Sequence, residues 1–425
     1  MIILYDIICL VFALVYLPVY FFKGKFHRGF LRRLGFMPGD LIPEKPIWIH
    51  AVSVGEAASV KQLVLGLRKA YPHKKIVIST VTATGNKIAR GLVREGDLLT
   101  YLPLDFSFIV ARVMRMVDPC LFVIAETEIW PNLITFLYKR KVPVITVNGR
   151  ISDRSYSGYR AIRLLLRPVL KKISKFCVQS NTDADRLMAL GVAEEKVVVT
   201  GNVKFDIDLE SAGGEPDKSR AVRDNMWMGP TDKLLVCGST HPGEEAIIMQ
   251  AYKELLQALP GLKLLLAPRH PERSREVAGV VEKYSFMPVF VSGLSGSCPT
   301  CINRPVFILD LMGELLDYYS AADVVFVGGS LVKTGGHNIL EPASRKKPVL
   351  FGPYMSNFRD IAGLFLEKEA GIMVPDCRAL AGKVKEILSD ALRARRMGER
   401  AYGLIADNKG ATGRNIEIIR QFMPV

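Results

Sequence analysis

Short apolar runs rich in β-branched residues alternate with helical patterns along most of this chain, and that alternation admits few folds. From Pro46 onward the runs Ile47–Val52, Lys75–Thr80, Leu98–Leu102, Leu121–Ala125, Val142–Val147, Phe176–Gln179 and Val197–Thr200 are separated by helical stretches. These include Glu56–Ala70, Ala83–Arg94, Asn132–Lys139, Tyr159–Lys172 and Thr182–Leu190. Continuously apolar strands are covered on both faces, the pattern of a parallel sheet wound by helices. The pattern lapses from Asp206 to Asp232, where Gly213-Gly214-Glu215-Pro216 and a run of charge read as a linker. It resumes as Leu234–Gly238, Leu262–Ala267, Met287–Val291, Val306–Leu309, Val324–Val327, Val349–Phe351 and Ile372–Val374. Two sequential, doubly wound Rossmann-like α/β domains are implied, with the cleft between them as the default ligand site. At 425 residues the chain exceeds what one core usually serves, in keeping with two domains.

The formal charge of +15 favours an anionic partner: nucleic acid, an acidic membrane surface or a phosphorylated substrate. No arginine-rich tail, zinc-finger spacing or aromatic RNA-binding motif is present, which ranks nucleic acid last. Seven scattered cysteines fit a reducing compartment better than a disulfide framework, and Cys298-Pro299-Thr300-Cys301 reads as a loop with two incidental thiols. Ile2–Phe22 is apolar except for Asp6 and long enough to cross a hydrocarbon core of about 30 Å. Lys23, Lys25, Arg28, Arg32 and Arg33 follow it, which places the remainder of the protein in the cytoplasm and attracts anionic lipid. A cleaved signal peptide would carry a basic residue ahead of the apolar run and a small-residue cleavage site after it. Pro18 and Asp6 also suit a shallower, monotopic insertion.

Open α/β sheets bind ligands where strands end, and several motifs sit there. In His50-Ala51-Val52-Ser53-Val54-Gly55-Glu56, a strand runs into a turn and Glu56 opens a helix. Such a residue serves the helix dipole, or accepts a proton from a positioned hydroxyl. Glu126-Thr127-Glu128-Ile129-Trp130-Pro131 follows another strand; Glu128 reads as the first-turn acid of the next helix, leaving Glu126 to be explained. Asn148-Gly149-Arg150 ends a third strand, and Gly201-Asn202-Val203-Lys204-Phe205-Asp206 ends the last of the first half. Asp206-Ile207-Asp208 has the DxD form of metal-dependent glycosyltransferases but lies at the linker, where a metal site is not expected. In the second half Cys237-Gly238-Ser239-Thr240-His241 ends a strand, and Gly243-Glu244-Glu245 opens a helix. Pro268-Arg269-His270 follows the next strand, where the Arg fork suits phosphate and His270 also reads as a turn residue. Met312-Gly313-Glu314 precedes a short helix. The run from Asp323 to Pro353 carries strand, glycine turn (Gly328, Gly329, Gly335, Gly336), a helix from about Ile339, and a second strand, Pro348–Phe351. Its glycines predict close approach of an anion or nucleotide, while Asn338 and Glu341 also match a capping box. Neither half opens with GxGxxG, which argues against a nicotinamide or flavin enzyme.

Taken together, HAVSVGEA, ETEIWPN, NGRIS, GNVKFD, GSTHPGEE, APRHPER, MGEL and GGHNILEPA resemble, in order and over nearly the whole chain, the 3-deoxy-D-manno-octulosonic acid (Kdo) transferases of lipopolysaccharide synthesis. The resemblance implies a GT-B fold and the boundaries that follow. Residues 1–22 are a membrane anchor, 23–45 a basic juxtamembrane segment and 46–206 an acceptor domain. Residues 207–232 are a linker and 233–425 a donor domain whose last helix is allowed to return to the first. The implied reaction moves Kdo from CMP-Kdo to the glucosamine hydroxyl of a lipid A precursor, with inversion and without a metal or other cofactor, on the cytoplasmic face of a bacterial inner membrane. By the same resemblance Glu56 is the proton acceptor, and Glu126 and Lys204 stabilise the transition state. Pro268 and Arg269, Met312, Gly313 and Glu314, and Asn338, Ile339, Leu340 and Glu341 hold CMP. The glycine-loop N–H groups and Arg269 then stabilise the leaving phosphate. One departure is visible: Asp310 is followed by Leu311, where the family usually has Asp-Thr. Two other classes compete, a membrane-associated GT-B enzyme using a UDP-sugar and a lipid acceptor, and a non-catalytic lipid- or nucleotide-binding protein. The Glu56 turn and ETEIWP argue against the first, and the second would not need carboxylates and an Arg at so many strand ends.

Overall fold

The apolar runs pair in parallel and form two seven-stranded sheets. The computed structural model describes residues 5–7, 9–11, 14, 29–37, 42–207, 209, 216–294 and 304–423. The first sheet holds β1 (Ile47–His50), β2 (Ile76–Thr80), β3 (Leu98–Tyr101), β4 (Leu121–Ala125), β5 (Val144–Gly149), β6 (Lys175–Val178) and β7 (Val197–Val199), in the order β3-β2-β1-β4-β5-β6-β7. The second holds β8 (Lys233–Thr240), β9 (Leu262–Pro268), β10 (Met287–Phe290), β11 (Pro305–Ile308), β12 (Val324–Val327), β13 (Val349–Phe351) and β14 (Ile372–Met373), in the order β10-β11-β9-β8-β12-β13-β14. Each order reverses direction once, between β1 and β4 and between β8 and β12. Connections on either side of such a point leave in opposite directions, opening a crevice at the carboxyl edge.

Central strands are buried on both faces, which is why they read as unbroken apolar runs. In the first core Trp48 meets Phe122 edge-on at 5.2 Å, and its indole N–H is satisfied by the Ser79 hydroxyl at 2.8 Å. Two expected helices are broken. Glu56–Ala70 forms as Val54–Ser59 and Lys61–Ala70, and Tyr159–Lys172 is divided between Asp153–Ala161 and Arg163–Leu170. Apolar periodicity continues across both breaks, so pattern alone does not mark them. The expected linker also contains a helix, Pro216–Asn225, whose Arg223 pairs with Asp323 at 3.1 Å and donates to the Asp232 carbonyl. The Gly213-Gly214 part of that linker, Asp208 and the Cys298–Cys301 loop lie outside the described residues.

Most of the expected anchor, Ile2–Phe22, also lies outside them. Among the described residues no helix is long and apolar enough to cross a membrane. Residues 5–7 and 9–11 are helical, and Asp6 has a structural partner set: its carboxylate accepts from the Ser107 N–H at 3.0 Å and the Asn132 amide at 2.7 Å. Helix Ser107–Val117 starts after Phe106, which has no capping oxygen, so Asp6 supplies an acceptor from elsewhere in the chain.

The chain divides into two compact units, 1–206 with 408–425, and 207–407. The last helix, Ala411–Arg420, therefore belongs with the first sheet. Ile416 reaches the space a side chain would take at Gly66, and Asn415 is fully buried with its carbonyl oxygen accepting from the Thr200 hydroxyl at 3.3 Å. Asp206, half of the DxD-like pair, accepts from the N–H groups of Gly410 and Thr412 and so caps this helix. Replacing Asp206 by Ala removes both acceptors, and losing a cap typically costs about 1 kcal/mol. Amide exchange within 411–420 is expected to accelerate in Asp206→Ala ahead of exchange in β1 and β4. Unchanged exchange there would refute the capping role.

Candidate functional site

In the first unit the site residues converge on the β1/β4 reversal. Ser53 caps helix Val54–Ser59, accepting from the Glu56 N–H, and its hydroxyl donates to Glu56 Oε1 at 2.9 Å. Glu56 Oε2 accepts from the Val52 N–H at 2.8 Å, and the side chain is 8% exposed. The cap is therefore real, and it also aims the carboxylate along the carboxyl edge. Glu126, the first residue after β4, sits at φ +58°, a left-handed conformation that turns its side chain off the strand line at a strain of about 1–3 kcal/mol. Burial raises its pKa and so does the nearby Glu56 carboxylate, while Lys204 and Arg150 act in the opposite sense.

Lys204 follows β7, the edge strand, and comes near enough to lower the Glu126 pKa because the chain doubles back. Gly201 turns at φ +88°, the Asn202 amide donates to Gln179 at the end of β6 (2.9 Å), and the Val203 N–H donates to Asn148 Oδ1 at the end of β5 (3.1 Å). Asn202 Oδ1 then accepts from the Lys204 N–H and fixes a single 3₁₀ turn, Val203–Phe205. Each step crosses one strand end toward β4.

Glu128 is not a first-turn acid. Helix Pro131–Lys139 begins with Pro131 in its first turn and has no acid there; its free amides are met by Asp105, which accepts from Asn132 N–H at 3.0 Å and Leu133 N–H at 2.8 Å. Burial raises the Asp105 pKa to about 7 against those two bonds. Glu128 is left beside Glu56 and Glu126, and burial, then those two charges, push its pKa up to about 7. Three acids thus share one strand edge. His50, fully buried at the end of β1, has its pKa lowered to about 3 by burial and takes no charge.

In the second unit the β8/β12 reversal is held by Glu244. This fully buried carboxylate accepts from the N–H groups of His241 (2.9 Å), Gly329 (2.6 Å), Ser330 (2.9 Å) and Leu331 (2.8 Å). The expectation that glycine-loop amides meet a phosphate is corrected at these positions, because the protein's own carboxylate occupies them. The glycines answer to packing. A side chain at Gly328 would meet the Ser239 carbonyl and Thr240 backbone at 2.7 Å, and Gly329, at φ +67°, lies against the His337 ring. Beyond the loop, helix Leu340–Ser344 starts one residue later than expected; Asn338 Oδ1 accepts from the Leu340 N–H, and the Asn338 amide donates to Glu341 Oε1, both at 3.2 Å. The Glu341 pKa is raised by burial, with Asn338 and Arg269 opposing.

Arg269 follows β9, tied to β8 through its N–H to the Thr240 carbonyl at 3.0 Å. Pro268, Arg269, Asn338, Ile339, Leu340 and Glu341 are thus gathered at one switch point. Met312, Gly313 and Glu314 stand one strand further out, after β11; Met312 is 82% exposed and Gly313 turns at φ +91°. Two residues that the motifs contained without a role join the Arg269 group: His241 after β8 and His337 after the glycine loop, with Nε2 atoms 2.8 Å apart. Their separation along the chain conceals the pairing.

Two doubly wound parallel sheets, each gathering polar side chains at its own switch point, define a GT-B-like fold. Solved structures share the fold. A glycosyltransferase of Rickettsia africae superposes with a TM-score of 0.57 at 15% identity, over 89% of this chain and 99% of its own. The UDP-GlcNAc 2-epimerase of Neisseria meningitidis superposes with the same score at 15% identity, over 88% and 100%. Residues 28–207 match the family model of 3-deoxy-D-manno-octulosonic-acid transferase (kdotransferase). The 3-deoxy-D-manno-octulosonic acid transferase of Haemophilus influenzae is 34% identical over 94% of this chain and 92% of its own length, and that of Chlamydophila psittaci 32% over 87% and 84%. The chain belongs to the Kdo transferase family.

The raised Glu128 pKa has a signed consequence. Between about pH 4.5 and 7 the folded state binds a proton here that the unfolded state has lost, so this group's contribution to stability falls as pH rises through that window. Glu128→Gln is expected to be more stable than the unmodified protein at pH 8, with the difference vanishing near pH 4.5, as read from denaturant midpoints. Equal midpoints at pH 8 would place Glu128 in solvent.

Proposed function

We infer that this protein transfers Kdo from CMP-Kdo to a hydroxyl of a lipid A precursor in lipopolysaccharide core synthesis. The observation that carries the reading is the grouping of the motif residues at two switch points: Glu56 with Glu126 and Lys204 on one sheet, Arg269 with Asn338 to Glu341 on the other. Family membership over more than nine-tenths of the chain supports the chemistry.

The first unit takes the acceptor and the second the donor. Cleavage of the bond between the Kdo anomeric carbon and the phosphate oxygen passes through an oxocarbenium-like state, with the electron pair leaving on CMP. Arg269 lies where that negative charge is met by side chains, since Glu244 occupies the nearest loop amides. Glu56, aimed by Ser53 and Val52, receives the proton of the attacking hydroxyl, giving inversion. Lys204 and Arg150 oppose the rise that burial and Glu56 impose on the Glu126 pKa, which favours a charged Glu126 carboxylate beside the base. Met312, Gly313 and Glu314 complete the CMP contacts by family resemblance. The apolar N-terminal run and its basic flank support attachment to the cytoplasmic face of the inner membrane, where a lipid acceptor is presented.

The direct test is transfer from freshly generated CMP-Kdo to a tetraacylated lipid A precursor in detergent, read by mass spectrometry of the lipid. A shift of one or more Kdo units is expected; no shift beside a working transferase, with UDP competing as well as CMP for the protein, would favour a UDP-sugar enzyme. Glu56→Gln should lower turnover by about 10²–10⁴-fold with folding intact, and near-normal turnover would remove it as the base. Arg269→Ala should weaken CMP binding by calorimetry at least tenfold, and unchanged affinity would remove Arg269 from the donor site.

A further inference from the structure

His241 and His337 meet nitrogen to nitrogen. Their Nε2 atoms are 2.8 Å apart, the ring centroids 5.0 Å, and the ring planes differ by 11°. Centroids further apart than the nitrogens, in nearly parallel planes, place the rings end to end rather than face to face. One hydrogen fits between two such nitrogens, so one ring donates and the other accepts. The accepting ring then carries its proton on Nδ1, and the donating ring has a bare Nδ1. A single additional proton can be taken there, turning the bond into a charge-assisted one. A second would force two N–H groups against each other. The pair therefore has a capacity of one proton.

Its surroundings oppose that proton in the absence of an anion. Arg269, Arg273 and His270 face the pair from the segment after β9. On the β8 side, Glu245 is neutralised by Arg273 at 3.0 Å and accepts from the Thr240 hydroxyl at 2.9 Å, while Glu244 is taken up by loop amides. On the glycine loop, Lys333 turns its ammonium over the Tyr354 ring. Burial and these cations hold both imidazole pKa values down, that of His337 to about 4. Both rings are only half-buried and stand at the β8/β12 reversal, where an anionic ligand beside Arg269 would reverse the local sign.

We propose that the His241–His337 pair takes up one proton when the phosphate of a cytidine nucleotide binds beside Arg269, and gives it back when CMP departs. The inference rests on the donor-site reading above. During transfer the proton stays on the pair: the glycosidic electron pair goes to the phosphate oxygen, the hydroxyl proton goes to Glu56, and the imidazolium opposes the charge that accumulates on the leaving group. Arg269 alone would hold ground state and product alike.

CMP serves as the probe, since above pH 7 its phosphate has already lost its second proton, whose pKa is about 6. Calorimetry of the full chain in detergent, in buffers of different ionisation enthalpy at pH 7.5, should show uptake approaching one proton per CMP, and His337→Asn should lose most of it while His270→Asn keeps it. In the unmodified protein the same linkage makes CMP affinity fall close to tenfold from pH 7 to pH 8, a readout that needs no variant. CMP binding with neither proton uptake nor pH dependence would overturn the inference alone. Absence of CMP binding at any pH would overturn the donor-site reading and this inference with it.

Discussion

One buried carboxylate organises the second unit. Glu244 opens the helix after β8 and collects four backbone N–H groups, one from its own turn and three from the loop that follows β12. An unpaired charge in that place would be prohibitive, so the loop has little freedom to sit elsewhere. The left-handed Ser239 and the bare backbones of Gly328 and Gly329 allow the approach that brings these amides within reach. His337 is delivered to His241 by the same contact, and Asn338 and Glu341 follow it in sequence. The placing of His337, Asn338 and Glu341 therefore follows from a carboxylate bound to the chain's own amides.

The two edges solve opposite electrostatic problems. The first unit crowds Glu56, Glu126 and Glu128 together, with Lys204 and Arg150 as its moderating charges. The second crowds Arg269, Arg273 and three histidines, with its acids already committed to partners. A reaction that builds positive charge on a sugar while negative charge leaves on a phosphate calls for this division. Both edges also hold left-handed residues: Glu126, Asn148 and Ser239 lie at or just past the carboxyl ends of interior strands.

The strands were legible because interior parallel strands have no polar face to interrupt them, and each lies within about two residues of its apolar run. Helix breaks at Val60 and Ile162 were not, since apolar spacing continues through them. Glu56, Glu126 and Arg269 stood out as charges at strand ends. The influence of Lys204 on Glu126 depends on a segment that crosses two strand ends, and the His241–His337 contact on a loop fixed by Glu244; neither has a local signature. Glu128 and Glu244 both had the form of first-turn helix acids, yet Asp105 fills that place for one helix, and the other's carboxylate is spent on a distant loop.

The return of helix Ala411–Arg420 to the first sheet makes the second unit an insertion within the first rather than a sequel to it. The chain leaves after Asp206 and comes back at Asn408, and Asp206 itself fastens the returning helix through Gly410 and Thr412. During synthesis the first core thus waits for residues that follow the second unit: Ile419 and Met423, both buried against it, arrive only after that whole unit has been made. A stop codon between Asn408 and Ile419 would therefore damage a core whose strands were all made before the second unit.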